Sequence, residues 1–252
     1  MALQTKALVS GRWLADAIKG NRIGPNLRVL DASWYLPKLS RNAKKDFKKT
    51  HIHGAHFFDI DHCSDRNTPL DHMLPPVRRL AEYAGELGIG NDTHVVIYDA
   101  SEFGAFSAPR VWWMFRVFGH NSVSVLDGGL KKWLNEGHPV TDVKSKAEPS
   151  EFRPTLNRSW VKTYEDVLKN IDTKEFQVVD ARPAGRFRGV DSEPRDNKTL
   201  TTCTFLRLVP PTLSRLQPLD NQTLNPDTSR APSACPSLPS GAPQVSCCPP
   251  TS

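Results

Sequence analysis

Five cysteines are the residues of this 252-residue chain best equipped for covalent chemistry: Cys63, Cys203, Cys235 and the adjacent Cys247 and Cys248. A thiol attacks as its thiolate, so a working nucleophile needs positive charge, loop N–H groups or a helix N-terminus beside it. Cys247 and Cys248 stand in Val245-Ser246-Cys247-Cys248-Pro249-Pro250-Thr251-Ser252, with no apolar strand before them and two prolines where loop donors belong. Neither is expected to hold a thiolate, and Cys63 is expected to be a structural or merely oxidisable thiol. The odd count and irregular spacing argue against a disulfide framework and for a reduced compartment, and no Cys-x-x-Cys pair suggests zinc. The expected set is no metal and no cofactor.

Among the charged residues, Asp31 and Asp180 each close an apolar run and are expected to fix loops by hydrogen bonding. Arg110 and Arg116 sit among Trp112, Trp113 and Phe115, a pattern expected to pack in the core with an internal ion pair. Only Lys38, Arg41, Lys44, Lys45, Lys48 and Lys49 form a dense run within the net charge of +6. On a helix they read as a solvated face rather than a nucleic-acid patch, and they could draw small anions toward a nearby cleft.

The elements that must position these groups alternate. Ser10 caps a helix with Trp13, Leu14, Ala17 and Ile18 on one face, ended by Gly20. A strand follows over Leu27 to Asp31, then a basic helix around 39–49, a short strand from His56 to Ile60, and a helix carrying Leu80, Tyr83, Ala84 and Leu87. The strongest strand runs from Thr93 to Asp99. Ser107 and Pro109 open a helix through Phe118, Ser122 to Leu126 is a strand, and Leu130 to Glu136 is a helix closed by Gly137. This alternation predicts an α/β domain, a mostly parallel sheet with helices on both faces.

Pro139 to Pro154 lacks periodicity and reads as a linker. The pattern then restarts: Thr163-Tyr164-Glu165-Asp166 has the form of a capping box, and Phe176 to Asp180 reads as a strand. Both apolar runs end in Asp-Ala, at Asp31-Ala32 and Asp180-Ala181, as two copies of one domain would. The second copy stops after one helix and one strand. Residues 199–252 hold 10 of the 21 prolines, no Trp, Lys or Glu, and Phe205 as the one aromatic, the composition of a disordered tail. The expected division is a first domain over 6–139, a linker over 140–158, the start of a second domain over 159–197 and a Pro-rich tail over 198–252. No run approaches the roughly 20 apolar residues of a bilayer crossing. The first ten residues lack the apolar core of a secretory signal. Cytoplasm or mitochondrion is the expected address.

Four segments carry a family resemblance: Leu30-Asp31-Ala32-Ser33-Trp34-Tyr35-Leu36-Pro37, Gly54-Ala55-His56-Phe57-Phe58-Asp59-Ile60-Asp61, Ala108-Pro109-Arg110-Val111-Trp112-Trp113-Met114-Phe115-Arg116 and Asp127-Gly128-Gly129-Leu130. In this order they closely resemble the two-domain rhodanese family. Asp61 to Arg66, Asp71 to Leu74 and Arg186 to Arg195 are more similar to its 3-mercaptopyruvate branch than to its thiosulfate branch. The resemblance covers about residues 6–197. It implies a pair of rhodanese-like domains with the active site between them, where a cysteine of the second domain accepts sulfur as a persulfide and passes it to a thiol, cyanide or another acceptor. It implies that this cysteine stands in a Cys-Gly-Ser-Gly-Val-Thr loop, whose N–H groups and helix N-terminus favour the thiolate.

The resemblance further implies that Arg186 and Arg195 hold the donor's carboxylate and carbonyl, and that Asp61 and His72 join the loop serine in a proton relay. All four residues are present; the loop sequence is not. Implied partners are a small anionic sulfur donor, a thiol acceptor of the thioredoxin kind and a full-length relative, with neither nucleic acid nor membrane. The phosphatase relatives of the fold need Cys-x5-Arg, which no cysteine here has. The expected function is therefore that of a sulfurtransferase-family protein inactive as this chain. The alternative is a non-catalytic rhodanese module that binds protein partners or small anions.

Overall fold

The computed structural model describes residues 6–192, divided between a unit ending at Lys169 and one beginning at Asn170. In chain order the first unit holds β1 (Leu8–Val9), α1 (Gly11–Lys19), β2 (Leu27–Asp31), α2 (Ala43–Lys49), β3 (His51–Ile52), β4 (Ala55–Phe57) and α3 (Val77–Glu86). It continues with β5 (His94–Tyr98), α4 (Ala108–Val117), β6 (Val123–Leu126), α5 (Gly129–Asn135) and β7 (Val140–Thr141). Five strands form one parallel sheet in the order β1-β6-β5-β2-β4.

β5 lies at the centre, with Val96 opposite Val29 on β2 and Ser124 on β6. Its alternate side chains enter two different cores. Val95 and Ile97 join Leu30, Val123 and Val125 beneath α3 and α4. Val96 and Tyr98 join Leu27 and Val29 beneath α1 and α5. A strand covered on both faces buries consecutive residues, which is why His94-Val95-Val96-Ile97-Tyr98 is an unbroken apolar run after its first residue. The expected helix caps form: Ser10 Oγ accepts from Trp13 N at 3.2 Å, and Gly20 closes α1.

Three expectations about the elements of the first unit change. The basic helix begins only at Ala43, because Asn42 caps it through Lys45 N at 2.9 Å and Pro37–Leu39 forms a separate tight turn. The short strand sits one residue earlier and ends at Phe57, where its pairing with Asp31 stops. The segment after Pro139 does not run free. Val140 and Thr141 pair antiparallel with Ile52 and His51; Ser150 N donates to Gly85 O at 2.9 Å, and Thr155 N to Phe118 O at 2.9 Å. Phe152 is buried between Phe115 and His120. Backbone hydrogen bonds and a single aromatic anchor leave no periodicity in the sequence.

α6 (Tyr164–Thr173) opens with the expected capping box: Thr163 N donates to Asp166 Oδ2 at 2.9 Å, and Asp166 N to Thr163 Oγ1 at 3.2 Å. Within the second unit the Asn170 side chain bonds both the N–H and the carbonyl of Phe176. The expected strand from Phe176 to Asp180 is not formed. A strand exists only through a neighbour's ladder, and among the described residues no strand pairs with this segment; Val179 is exposed. α7 (Ala184–Phe187) follows. Arg195, four of the five cysteines and the expected tail over 198–252 lie outside the described residues.

Candidate active site

Parallel α/β sheets present their functional loops beyond the C-terminal ends of the strands. Here the loop after β2 carries Trp34, the loop after β4 carries Asp61 and His72, and the loop after β5 carries Phe106. Their side chains converge. Asp61 Oδ1 lies 2.7 Å from His72 Nε2, and Asp61 Oδ2 accepts from Trp34 Nε1 at 3.1 Å. The Trp34 and His72 rings meet edge to face at 4.8 Å, and Phe106 stacks on Trp34 at 6.3 Å. A carboxylate oxygen only accepts, so in this contact His72 Nε2–H donates to Asp61 Oδ1.

His72 is held by an unusual backbone. Its φ of +58° lies in the left-handed region that non-glycine residues seldom occupy. Arg110 reaches from α4 to donate through Nη2 to the His72 carbonyl, and its guanidinium lies 4.7 Å above the Trp113 ring. The expected internal ion pair is not formed among the described residues. Among the described residues neither Arg110 nor Arg116 meets a carboxylate; Arg116 lies between Trp112 and Trp160, 5.7 and 5.5 Å from their ring centres. Arg110 is thus a positioning residue for His72, a role its aromatic neighbours in sequence do not reveal.

Asp99 fixes the loop that brings Phe106. Its Oδ1 accepts from Ser101 N at 3.0 Å, and its Oδ2 accepts from Phe106, Ser107 and Ala108 N at 2.7, 2.9 and 2.8 Å. The side chain is buried and takes up the donors that open α4, so it serves as the helix cap in place of Ser107. The same loop explains the Asp127-Gly128-Gly129-Leu130 motif. A Cβ on Gly104 would lie 2.9 Å from Gly128 Cα, and one on Gly129 would lie 2.6 Å from the Asp99 carbonyl oxygen. Only glycine lets these two backbones touch.

Asp31 and Asp180 fix loops as their positions suggest. Asp31 Oδ1 accepts from both the N–H and the hydroxyl of Ser33, and burial pushes its carboxyl up to about 6. Asp180 takes the Arg182 guanidinium at 2.6 Å, whose hydrogen bonds hold its pKa low. Cys63 is fully buried, and burial pushes its thiol up to about 12, far from a nucleophile's range. Arg186 sits in α7 of the second unit. A cleft of ≈ 290 Å³ opens beside Asp61, bounded by Trp34, Tyr35, Arg41, Lys44 and Asp59.

The description of a Rhodanese-like domain matches residues 12–136. Human 3-mercaptopyruvate sulfurtransferase is 58% identical over 191 residues, which cover 76% of this chain and 64% of that protein. Thiosulfate sulfurtransferase of Rattus norvegicus is 56% identical over 189 residues, covering 75% and 63%. Among solved structures, SseA from Escherichia coli, described with the 3-mercaptopyruvate sulfotransferases and the rhodanese fold, superposes with a TM-score of 0.67 at 37% identity, covering 76% of this chain and 71% of that one. The chain belongs to the rhodanese family of sulfurtransferases. It spans a little under two thirds of the length of the curated relatives it matches, 64% of the human protein.

Proposed function

We propose that the first unit is the non-catalytic rhodanese domain of a protein that moves sulfur from 3-mercaptopyruvate or thiosulfate to a thiol or cyanide, and that these 252 residues do not complete the transfer by themselves. The observation that carries this reading is the Asp61–His72 pair, set at 2.7 Å, in a sequence with no Cys-Gly-Ser-Gly-Val-Thr loop to hold a thiolate. With 3-mercaptopyruvate as donor, a thiolate attacks the donor sulfur, the electrons of the carbon–sulfur bond pass to carbon, and that carbon takes up a proton as pyruvate leaves; with thiosulfate, the sulfur–sulfur bond breaks instead and its electrons leave with sulfite. His72, with Nε2–H fixed on Asp61, exchanges that proton at Nδ1. Arg186 and Arg195 clamp the donor's carboxylate and carbonyl. The identities to sulfurtransferases acting on mercaptopyruvate and thiosulfate support this choice of donors.

The acceptor is a small thiol or a thioredoxin-like protein in the cytoplasm or the mitochondrion. The two-sided core of the first unit is that of a self-contained domain, which supports a second reading, a non-catalytic rhodanese-domain binding module. The test is release of sulfide and pyruvate from 3-mercaptopyruvate plus a thiol, by the 252-residue chain and by Cys247→Ser/Cys248→Ser. Neither protein releases product if the reading is right. Release by the first that is lost in the second assigns the thiolate to the C-terminal cysteines and overturns it.

A further inference from the structure

Beside α2 lies a larger cavity, ≈ 580 Å³, lined by neither Asp61 nor His72. Its apolar walls include Phe47, Phe57 and Leu87, with the two phenyl rings 5.6 Å apart. Three exposed lysines stand around it, Lys44, Lys48 and Lys144, against one carboxylate, Asp142. Two histidines complete the lining, and each is short of a negative partner.

His51 is buried, with Nδ1 2.7 Å from the Phe47 carbonyl oxygen and Nε2 3.2 Å from that of Val143. Both ring nitrogens thus face backbone carbonyl oxygens, and neither meets a carboxylate. His56 Nε2 is buried and has no hydrogen-bond partner among the described residues. Burial first, and then the charges of Arg28, His51 and Lys144, push the His56 pKa down to about 4. A net positive field, three lysines against Asp142, therefore surrounds an imidazole nitrogen that has no hydrogen-bond partner among the described residues. The cavity also falls within the roughly 300–1,000 Å³ of small-molecule sites, with aromatic walls that an inorganic ion would leave empty.

We infer that this cavity binds small aromatic anions, with the ring against Phe47 and Phe57 and a single phosphate or carboxylate head between Lys48 and Lys144. The site is separate from sulfur transfer, so it stands or falls independently of the function proposed above. The experiment follows the histidine ring resonances of the full chain by NMR during titration with phenyl phosphate, inorganic phosphate and benzyl alcohol. Lys48→Glu/Lys144→Glu, which alters only exposed side chains, is titrated in parallel.

Phenyl phosphate should shift the His51 and His56 resonances saturably. Its affinity should fall about tenfold in the double variant, the effect of reversing two partly screened contacts. Inorganic phosphate and benzyl alcohol, each lacking half of the recognition, should bind at least about tenfold more weakly than phenyl phosphate. No saturable shift at these two rings, an unchanged affinity in the double variant, or inorganic phosphate binding as tightly as phenyl phosphate would overturn the assignment.

Discussion

Changing Asp99 to Asn tests how the site is held, because it preserves the shape of one buried side chain while removing its charge. Asp99 accepts four backbone N–H groups, three on Oδ2 and one on Oδ1. An amide has one oxygen. Placed toward Phe106, Ser107 and Ala108, it turns its NH2 donor to donor against Ser101 N–H. Hydrogen bonds to a charged group contribute about 1.5–3 kcal/mol and neutral ones about 1 kcal/mol, while an unsatisfied buried donor costs about 1–3 kcal/mol. Three weakened bonds and one unsatisfied donor sum to a destabilisation of roughly 2.5–9 kcal/mol, set against a total stability of about 5–15 kcal/mol. At about 2–4 °C per kcal/mol for a chain of this size, Tm should fall by roughly 5–35 °C. The assay is urea unfolding followed by circular dichroism. A loss below about 1 kcal/mol would show that the four contacts do not hold the loop, and the account of how Phe106 reaches Trp34 would fail.

Three further outcomes are expected. Burial raises the Asp31 carboxyl from 3.8 to about 6, so the unfolded chain releases this proton first and the fold loses stability as pH rises between those values. Asp31→Asn should therefore gain up to about 3 kcal/mol relative to the parent between pH 4 and 7, and a pH-independent difference in urea midpoints would contradict this. Phe152→Ala should cost about 3–5 kcal/mol and open residues 140–157 to protease, whereas the parent's first unit resists cleavage there; equal digestion patterns would refute the anchoring role. Cys63, buried and with its thiol pushed up, should resist iodoacetamide until urea unfolds the chain, as read by peptide mass. Rapid native alkylation would show that the core around it opens.

The five helices of the first unit and its strands β2, β4, β5 and β6 were legible because residues with a local reason to be there bound them, whereas the two-residue strands β1, β3 and β7 were not. Ser10 caps, Gly20 and Gly119 stop, and β5 carries the run of a strand covered on both faces. Asp99-Ala100 repeats the Asp-Ala ending of Asp31-Ala32 and Asp180-Ala181, so the same signal could have picked out Asp99. Trp34 carried a weaker one: an indole N–H just beyond a strand end needs an acceptor, and Asp61 is that acceptor. Contacts without periodicity were not legible. Arg110 holds His72 across 38 positions through a backbone carbonyl that any residue could supply. Phe152 anchors its segment alone, and Phe176 to Asp180 has the composition of a strand that pairs with none among the described residues. Composition reports what a segment could bury, whereas pairing depends on what lies beside it.

The proposal that the Asp61–His72 pair stands here without a sulfur-accepting thiolate is tested most directly by the intact mass of the purified 252-residue chain after exposure to 3-mercaptopyruvate, with peptide mapping of all five cysteines. No cysteine should carry an added sulfur atom, and no pyruvate should form. A persulfide on Cys247 or Cys248, accompanied by an equal amount of pyruvate, would contradict it.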